Sequence, residues 1–240
     1  DLRSRFKKLG GGFSSSFRIA YTLSRLKDDG LNNTTNAEVN GDFSAEWDRA
    51  RQDRLHRIGV TGTFETPWWL GQLRFSPSFR YGSSAAFTLG IGIDRNLNDV
   101  STDRLRFSGD INDIKWRAPG SALPSDALLA QFSLQPIGAR GGKLPRTAGT
   151  GPSLYLFDIN VTREWKFVER FKLRPTLEFG NIFNAVVFNY GSEFIDFSTP
   201  PWPTATAAQI AAYANFKRDF LVPTRTFRPR DIRVGMRFDF

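Results

Sequence analysis

The closing segment of the chain, residues 232–240, alternates between apolar and polar side chains without a break and ends on a phenylalanine. Successive side chains of a β-strand point to opposite faces, so this segment predicts a strand with one apolar face and one polar face. The apolar face suits lipid or a protein core, and the polar face suits water. The apolar positions are Ile232, Val234, Met236, Phe238 and Phe240.

The composition decides which kind of membrane protein the chain can be. No stretch approaches the ~18 consecutive apolar residues of a membrane-spanning helix, which excludes a helical membrane protein. A transmembrane β-barrel remains compatible, because its lipid-facing residues occur only at every second position. The 240 residues include 23 Phe, 6 Trp and 5 Tyr, an aromatic content that suits a lipid-facing surface.

Alternating segments recur along the chain and predict a series of strands. The segment 73–93 keeps one parity for about 20 residues, roughly twice the length that crosses a bilayer. We therefore expect this strand to project beyond the membrane, and we expect 1–6 to be the tail of an earlier strand. The other predicted strands lie at 13–25, 56–65, 155–162, 173–180 and 227–240.

The connections between these strands alternate in length. Short turns are predicted at 7–12, 66–71 and 167–170, and long loops at 27–52, 94–151 and 184–225. Outer-membrane barrels have short periplasmic turns and long extracellular loops, which predicts that every long loop here is outside. Within the loops, Ser125 and Thr206 are predicted N-caps of two short helices.

Several sequence words occur in an order that points to one family. They are Leu23–Asp29, Arg54–Arg57 followed by Gly59–Gly62, Gly151–Pro152 leading into Phe157–Val161, and Glu178–Asn184. With the terminal phenylalanine, this series resembles the carboxyl-terminal part of Oar-like TonB-dependent outer-membrane receptors. In such barrels the alternating final strand with its last Phe is an assembly signal, which the resemblance assigns here to Ile232, Val234, Met236, Phe238 and Phe240.

The resemblance implies a barrel of about 22 strands, closed by an amino-terminal plug and powered through TonB, ExbB and ExbD. Residues 1–240 would then be the carboxyl-terminal part of a single all-β, antiparallel transmembrane barrel domain, comprising its last ~8 strands and their long extracellular loops. The plug is not expected in this chain. The remaining strands and the plug would come from the same gene product or a second chain, in a bacterial outer membrane with its lipid and lipopolysaccharide.

The polar parity of the predicted strands carries many charged side chains. One interpretation is a solvated wall of paired ions. The other is a slightly cationic passage that favours anionic substrates or contacts the acidic face of a plug. The residues predicted to face the barrel interior are Arg18, Arg57, Arg74, Arg80, Asp158, Asn160, Arg174, Glu178, Arg233 and Arg237.

A calcium site is one interpretation of an Asn/Asp-rich loop. Asp94, Asn96 and Asn98 occupy positions one, three and five of a calcium-loop pattern, and Asp103 follows closely. The pattern departs from an EF-hand, because Asp99 stands where glycine is needed and Leu105 where the bidentate glutamate belongs. The alternative is a turn stabilised by Asn and Asp side chains. We expect no other cofactor.

Other classes of function are disfavoured. The chain has no cysteine and a single histidine, His56, on the predicted lipid-facing parity, which argues against thiol chemistry and a Ser-His-Asp hydrolase. We expect no enzyme activity. The net charge of +9 is scattered singly through the strands, so the phosphates of lipopolysaccharide fit it better than nucleic acid.

The functional hypothesis is transport of a large substrate across the outer membrane. The alternative is a structural or surface-binding barrel whose long loops contact a partner protein. Siderophore, glycan and peptide substrates, and the direction of transport, are not distinguished by the sequence.

Overall fold

The computed structural model describes residues 1–30, 36–142, 144–167, 171–190, 193–194, 206–227 and 229–240. Its main feature is an antiparallel sheet in which each long strand pairs with the next along the chain. A short strand, Trp165–Lys166, also pairs with the sixth long strand. The long strands are β1 Leu2–Lys8, β2 Ser14–Leu23, β3 His56–Glu65, β4 Leu73–Gly82, β5 Leu154–Arg163, β6 Lys172–Gly180 and β7 Asp231–Asp239.

The register of the sheet aligns the apolar parity of neighbouring strands. Ile19 lies opposite Val60, Val60 opposite Phe79, and Phe79 opposite Phe157. Paired residues share a face, so one side of the sheet is a continuous apolar surface. Val234 on β7 is 82% exposed on that side. An exposed apolar surface of this extent needs lipid or another apolar partner to cover it.

Two prolines lie inside strands, and neither forms a bulge. The register runs unbroken through Pro77, opposite Ile159, and through Pro175, opposite Met236. A proline removes one backbone N–H donor, and each of these two strands loses residue pairs with only one of its neighbouring strands. The register shift in this sheet lies instead in β1, between Ser4 and Lys7.

The sheet is open in the described part of the chain. There, β1 pairs only with β2, and β7 pairs only with β6. The final strand therefore does not close a small barrel with the first strands. The segment 1–6, expected to be the tail of a strand, is most of β1.

The three long loops fold together at one end of the sheet. We name them the cap, defined as the described residues of 24–55, 83–153 and 181–230. The cap holds a hydrophobic core whose members come mainly from the second and third loops. This core contains Phe87, Leu89, Ile91, Leu105, Ile114, Leu129, Phe132, Leu144, Ala148, Tyr190, Phe220 and Leu221.

The cap contains little regular structure. Its helices are α1 Asp126–Leu129 and α2 Ala207–Asp219, with 3-10 turns at Ser44–Glu46 and Ile111–Asp113. A further 3-10 turn, Trp68–Leu70, lies at the opposite end of the sheet. The two-residue strand pairs are Lys27–Asp28 with Asp48–Arg49, Ala86–Phe87 with Gly149–Thr150, Leu89–Gly90 with Glu193–Phe194, Arg106–Phe107 with Phe132–Ser133, and Phe188–Asn189 with Arg225–Thr226.

Both predicted helix starts are confirmed. The Ser125 hydroxyl accepts a hydrogen bond from the backbone N–H of Leu128. Thr206 forms a capping box with Gln209 at the start of α2. No helix among the described residues is long and apolar enough to cross a membrane.

The prediction of one long strand over 73–93 was wrong. Strand β4 ends at Gly82, and the chain then turns into the cap, where Phe87 and Leu89 are almost fully buried. The alternation of apolar and polar residues continues past Gly82 because short extended segments that bury every second side chain show the same two-residue period as one long strand.

Candidate functional site

The polar face of the sheet borders a broad concavity of about 1250 Å³ at the end that carries the short turns. Glu65, Arg74, Glu164, Arg174 and Arg237 line it. Glu65, Arg74, Arg174 and Arg237 belong to the polar parity of their strands, and Glu164 follows β5 directly. The polar face therefore borders this concavity, as the inner wall of a barrel does.

The register places all the residues predicted to face the interior on this one polar face. Arg18 lies opposite Thr61, Thr61 opposite Ser78, and Ser78 opposite Asp158. On the next strands Asn160 lies opposite Glu178, Glu178 opposite Arg233, and Arg174 opposite Arg237. Arg57, Arg74 and Arg80 lie opposite Gly82, Thr162 and Leu156 of the same face. That this face looks into a lumen remains a prediction.

Many charged side chains of the polar face of the sheet, which we call the wall, form ion pairs. Arg74 Nε donates to Glu65 Oε1 at 2.7 Å, and Arg174 Nε donates to Glu164 Oε2 at 2.6 Å. Arg80 Nη2 lies 2.9 Å from Asp158 Oδ2. Each pair is partly exposed, and such pairs contribute little to stability because water screens them. The arrangement favours a solvated wall of paired ions at these positions.

A buried ionic cluster joins the first loop of the cap to the second. Arg104 donates to Glu38 Oε2 at 2.8 Å and to Glu46 Oε1 at 2.8 Å, and all three side chains are nearly inaccessible. Glu38 Oε1 also accepts from the backbone N–H of Gly142 at 2.6 Å. Sequence reasoning missed this cluster, because its members lie up to 104 positions apart and follow no periodic pattern.

Arginine side chains tie the remaining parts of the cap together. Arg146 donates to the carbonyl of Glu46 and pairs with Asp28. Arg117 donates to the carbonyls of Lys217 and Phe220, which joins the second loop to the third. The three loops therefore form one connected unit.

A second cavity, of about 480 Å³, is lined by residues of all three loops of the cap. Arg54 lines this cavity and donates to the carbonyls of Gly82, Ser83 and Pro152. Burial, and then the nearby guanidinium groups of Arg57 and Arg49, lower the pKa of Arg54. The described residues that line this cavity include no acidic side chain. They are Arg51, Gln52, Arg54, Ala85, Ala86, Gly151, Pro152, Asn189, Tyr190 and Phe227.

The loop interpreted as a calcium site is tightly hydrogen-bonded. The Asp94 carboxylate accepts from the backbone N–H groups of Leu97, Asn98 and Asp99, as in an Asx-type turn. The side-chain amides of Asn96 and Asn98 both donate to the Glu38 carbonyl. In the described part of the chain, no three His, Cys, Asp or Glu side chains converge as metal ligands do.

Comparison with known protein families decides what the sheet belongs to. A family model for an outer membrane beta barrel domain matches residues 4–220. This chain belongs to the outer membrane beta barrel domain family. No curated protein and no solved structure matches it significantly.

Membership of this family confirms the all-β barrel fold class and the bacterial outer-membrane location. That the apolar face of this outer membrane beta barrel domain meets lipid remains a prediction. His56 lies on that face, where its Nδ1 is 2.9 Å from the Tyr21 hydroxyl. This placement agrees with a packing role for His56.

Aromatic side chains cluster at the short-turn end of the barrel domain. Trp68 and Trp69 are exposed there, and Arg163 lies 5.0 Å from the ring centroid of Trp165. Interfacial belts of outer-membrane barrels have this composition. On β7, Phe238 stacks against Phe171 at a centroid distance of 5.8 Å. The role of the apolar residues of β7 as an assembly signal remains a prediction.

Proposed function

We propose that this barrel domain is part of a TonB-dependent receptor that moves a large substrate across the outer membrane. The observation that carries the proposal is the cap, in which three long loops share one connected structure above a charged wall. Binding sites are commonly built on loops that a rigid scaffold positions. The partners that follow are the rest of the barrel, a plug, and TonB with ExbB and ExbD.

The cavity lined by the three loops of the cap is the proposed entry site for substrate. Arg51 and Arg54 line it, and Arg57 adds positive charge beside it. A cleft lined by one sign of charge raises the local concentration of ligands of the opposite sign. The proposal therefore favours substrates that carry anionic groups.

The test is energised uptake in the native bacterium. Cells with and without the gene would be given a radiolabelled ferric siderophore, a fluorescent maltooligosaccharide and a fluorescent peptide. We expect gene-dependent accumulation of one probe that stops when a protonophore collapses the proton gradient. Accumulation that is indifferent to the protonophore, or no gene-dependent accumulation of any probe, would count against TonB-dependent transport.

A matched pair of substitutions tests the cavity. Arg51→Gln removes a cation from the cavity lining, whereas Arg218→Gln makes the same change on the exposed side of α2. We expect the first substitution to raise the substrate concentration for half-maximal uptake and the second to leave it unchanged. Equal effects of the two would show that only the overall charge of the cap matters.

The alternative of a surface-binding barrel is favoured by a different observation. Several large apolar side chains of the cap are exposed, among them Leu97, Leu123 and Ile137. Such residues on an outer loop suit contact with a partner protein. Replacing Ile137 with Ser would then abolish partner capture on intact cells while leaving energised uptake unchanged.

A further inference from the structure

The carboxylate of Asp103 is fully buried in the cap, and its two oxygens are used unequally. Oδ2 accepts three hydrogen bonds, from Arg95 N at 2.5 Å, Asn96 N at 2.9 Å and Gln135 Nε2 at 2.9 Å. Oδ1 is buried and has no hydrogen-bond partner. One oxygen of a buried carboxylate therefore stays available to a ligand.

Two side-chain amide oxygens, from residues that donate hydrogen bonds to this carboxylate, also lack a hydrogen-bond partner. Gln135 Oε1 and Asn96 Oδ1 are buried without a partner, and the Gln135 side chain is fully buried. Their orientation is fixed by chemistry, because Gln135 Nε2 donates to Asp103 and Asn96 Nδ2 donates to the Glu38 carbonyl. Exchanging nitrogen and oxygen in either amide would place oxygen against oxygen.

Three buried acceptors without donors are costly to leave empty. A buried polar group that gains no partner destabilises the folded state, and a buried charge does so most. One water molecule has two hydrogens and cannot satisfy three acceptors. A cation has no such limit, and it would also offset the charge of Asp103.

We propose that a calcium ion binds between Asp103 Oδ1, Gln135 Oε1 and Asn96 Oδ1. Calcium takes carboxylate and amide oxygens in irregular geometry and completes its shell with water, whereas magnesium demands a near-ideal octahedron. The site has one carboxylate, and a positive charge lies close to it, because Arg95 Nε donates to the backbone carbonyl of Gln135 at 2.6 Å. Affinity is therefore modest, with a Kd on the order of 0.1–1 mM, the range of extracellular modules.

The site differs from the set that the sequence pattern indicates. Asp94 is occupied by three backbone donors, and Asn98 Oδ1 accepts from the backbone N–H of Val100. Asn96 and Asp103 remain, and Gln135 joins them from 32 positions beyond Asp103. A calcium ion here would brace the 94–103 loop against the segment around Gln135.

Equilibrium dialysis with radioactive calcium tests the proposal on the full-length protein purified in detergent. We expect one saturable site in the unaltered protein. Asp103→Asn removes the charged ligand and should weaken binding at least about tenfold. Gln135→Glu supplies a second carboxylate and should tighten binding by about tenfold, although it adds repulsion when calcium is absent. A folding defect would weaken calcium binding in both variants. Opposite changes in calcium affinity would therefore identify Asp103 and Gln135 as ligands.

Asp99→Asn is the matched control. Asp99 is an exposed acid of the same loop at a φ of 63°, a left-handed conformation that Asn accepts. The calcium affinity of the Asp99→Asn variant should stay within about twofold of that of the unaltered protein. Trypsin cleavage after Arg95 gives a second readout, since bound calcium should slow it. Absence of saturable binding up to about 10 mM calcium, or equal binding by the Asp103 and Asp99 variants, would overturn the proposal.

Discussion

The guanidinium of Arg104 lies 2.8 Å from the Glu38 carboxylate at a position where both side chains are at most 3% exposed. Glu38 belongs to the first long loop of the chain and Arg104 to the second. Since Glu46 binds the same guanidinium, one cation holds two carboxylates inside the cap. Removing that cation leaves two buried charges without compensation, which is the most damaging way to break a buried ion pair.

Arg104→Gln should therefore loosen the cap while the sheet stays intact. Breaking a buried pair by removing one partner costs about 3–5 kcal/mol. We expect faster hydrogen exchange and proteolysis within 36–55 and 83–150, and unchanged exchange in β3 to β6. Arg218→Gln, which removes an exposed pair with Asp219, is the control and should leave cap exchange unaltered. Equal exchange in both variants would mean that Arg104 does not hold the loops together.

The absence of cysteine makes the topology simple to test. Leu123→Cys places a thiol on the exposed surface of the cap, and Leu9→Cys places one in the turn between β1 and β2. A membrane-impermeant maleimide should label the first in intact cells and the second only after the outer membrane is permeabilised. The reverse pattern would invert the predicted orientation.

Two adjacent positions of β7 test which face meets lipid. Val234→Arg places a charge on the apolar face, where a central arginine costs about 2–4 kcal/mol. Gly235→Arg places the same side chain on the polar face, where the nearest atom to an added Cβ is 4.0 Å away on Thr176. We expect the first variant to lower the yield of folded protein in the outer membrane and the second to be tolerated. Similar yields would contradict the assignment of faces.

One ion pair of the cap predicts a pH effect. A hydrogen bond from Lys217, and then one from Tyr213, lower the pKa of Asp126 below its ordinary value of 3.8. A carboxyl group whose pKa is lower in the folded state contributes stability above its unfolded pKa and loses it as the pH falls through the folded one. The protection of α2 against hydrogen exchange, relative to an unfolded chain at the same pH, should therefore fall below pH 3.8, whereas Asp126→Asn should show no such step.

Sequence reasoning succeeded where structure follows a local period. Most of the long strands, the shared face of Ile19, Val60 and Phe79, and the two N-caps all follow from short-range rules, whereas the same rules extended β4 too far, to residue 93. The cap does not. Phe87 of the second long loop stacks on Tyr190 of the third at a centroid distance of 3.9 Å, a contact that no period indicates.

The calcium pattern shows the same limit inside the candidate site. Spacing identified a loop rich in side-chain oxygens, but backbone donors occupy Asp94, and the proposed ligand Gln135 lies outside the loop. Which oxygens stay without a partner depends on the hydrogen-bond network of the folded chain, and spacing does not encode it.

The terminal phenylalanine provides the last prediction. Phe240 is 92% exposed at the end of β7 and shares its apolar face with Phe238, at a centroid distance of 6.2 Å. It makes few contacts that could stabilise the folded barrel, so a strong effect of its loss would reflect recognition during membrane assembly. Phe240→Ser should lower the amount of protein in the outer membrane without changing the melting temperature of the fraction that assembles. Asp239→Ser, on the polar face of the same strand, should leave the amount unchanged. Equal outer-membrane levels of the Phe240 variant and the unaltered protein would remove the assembly role from this residue.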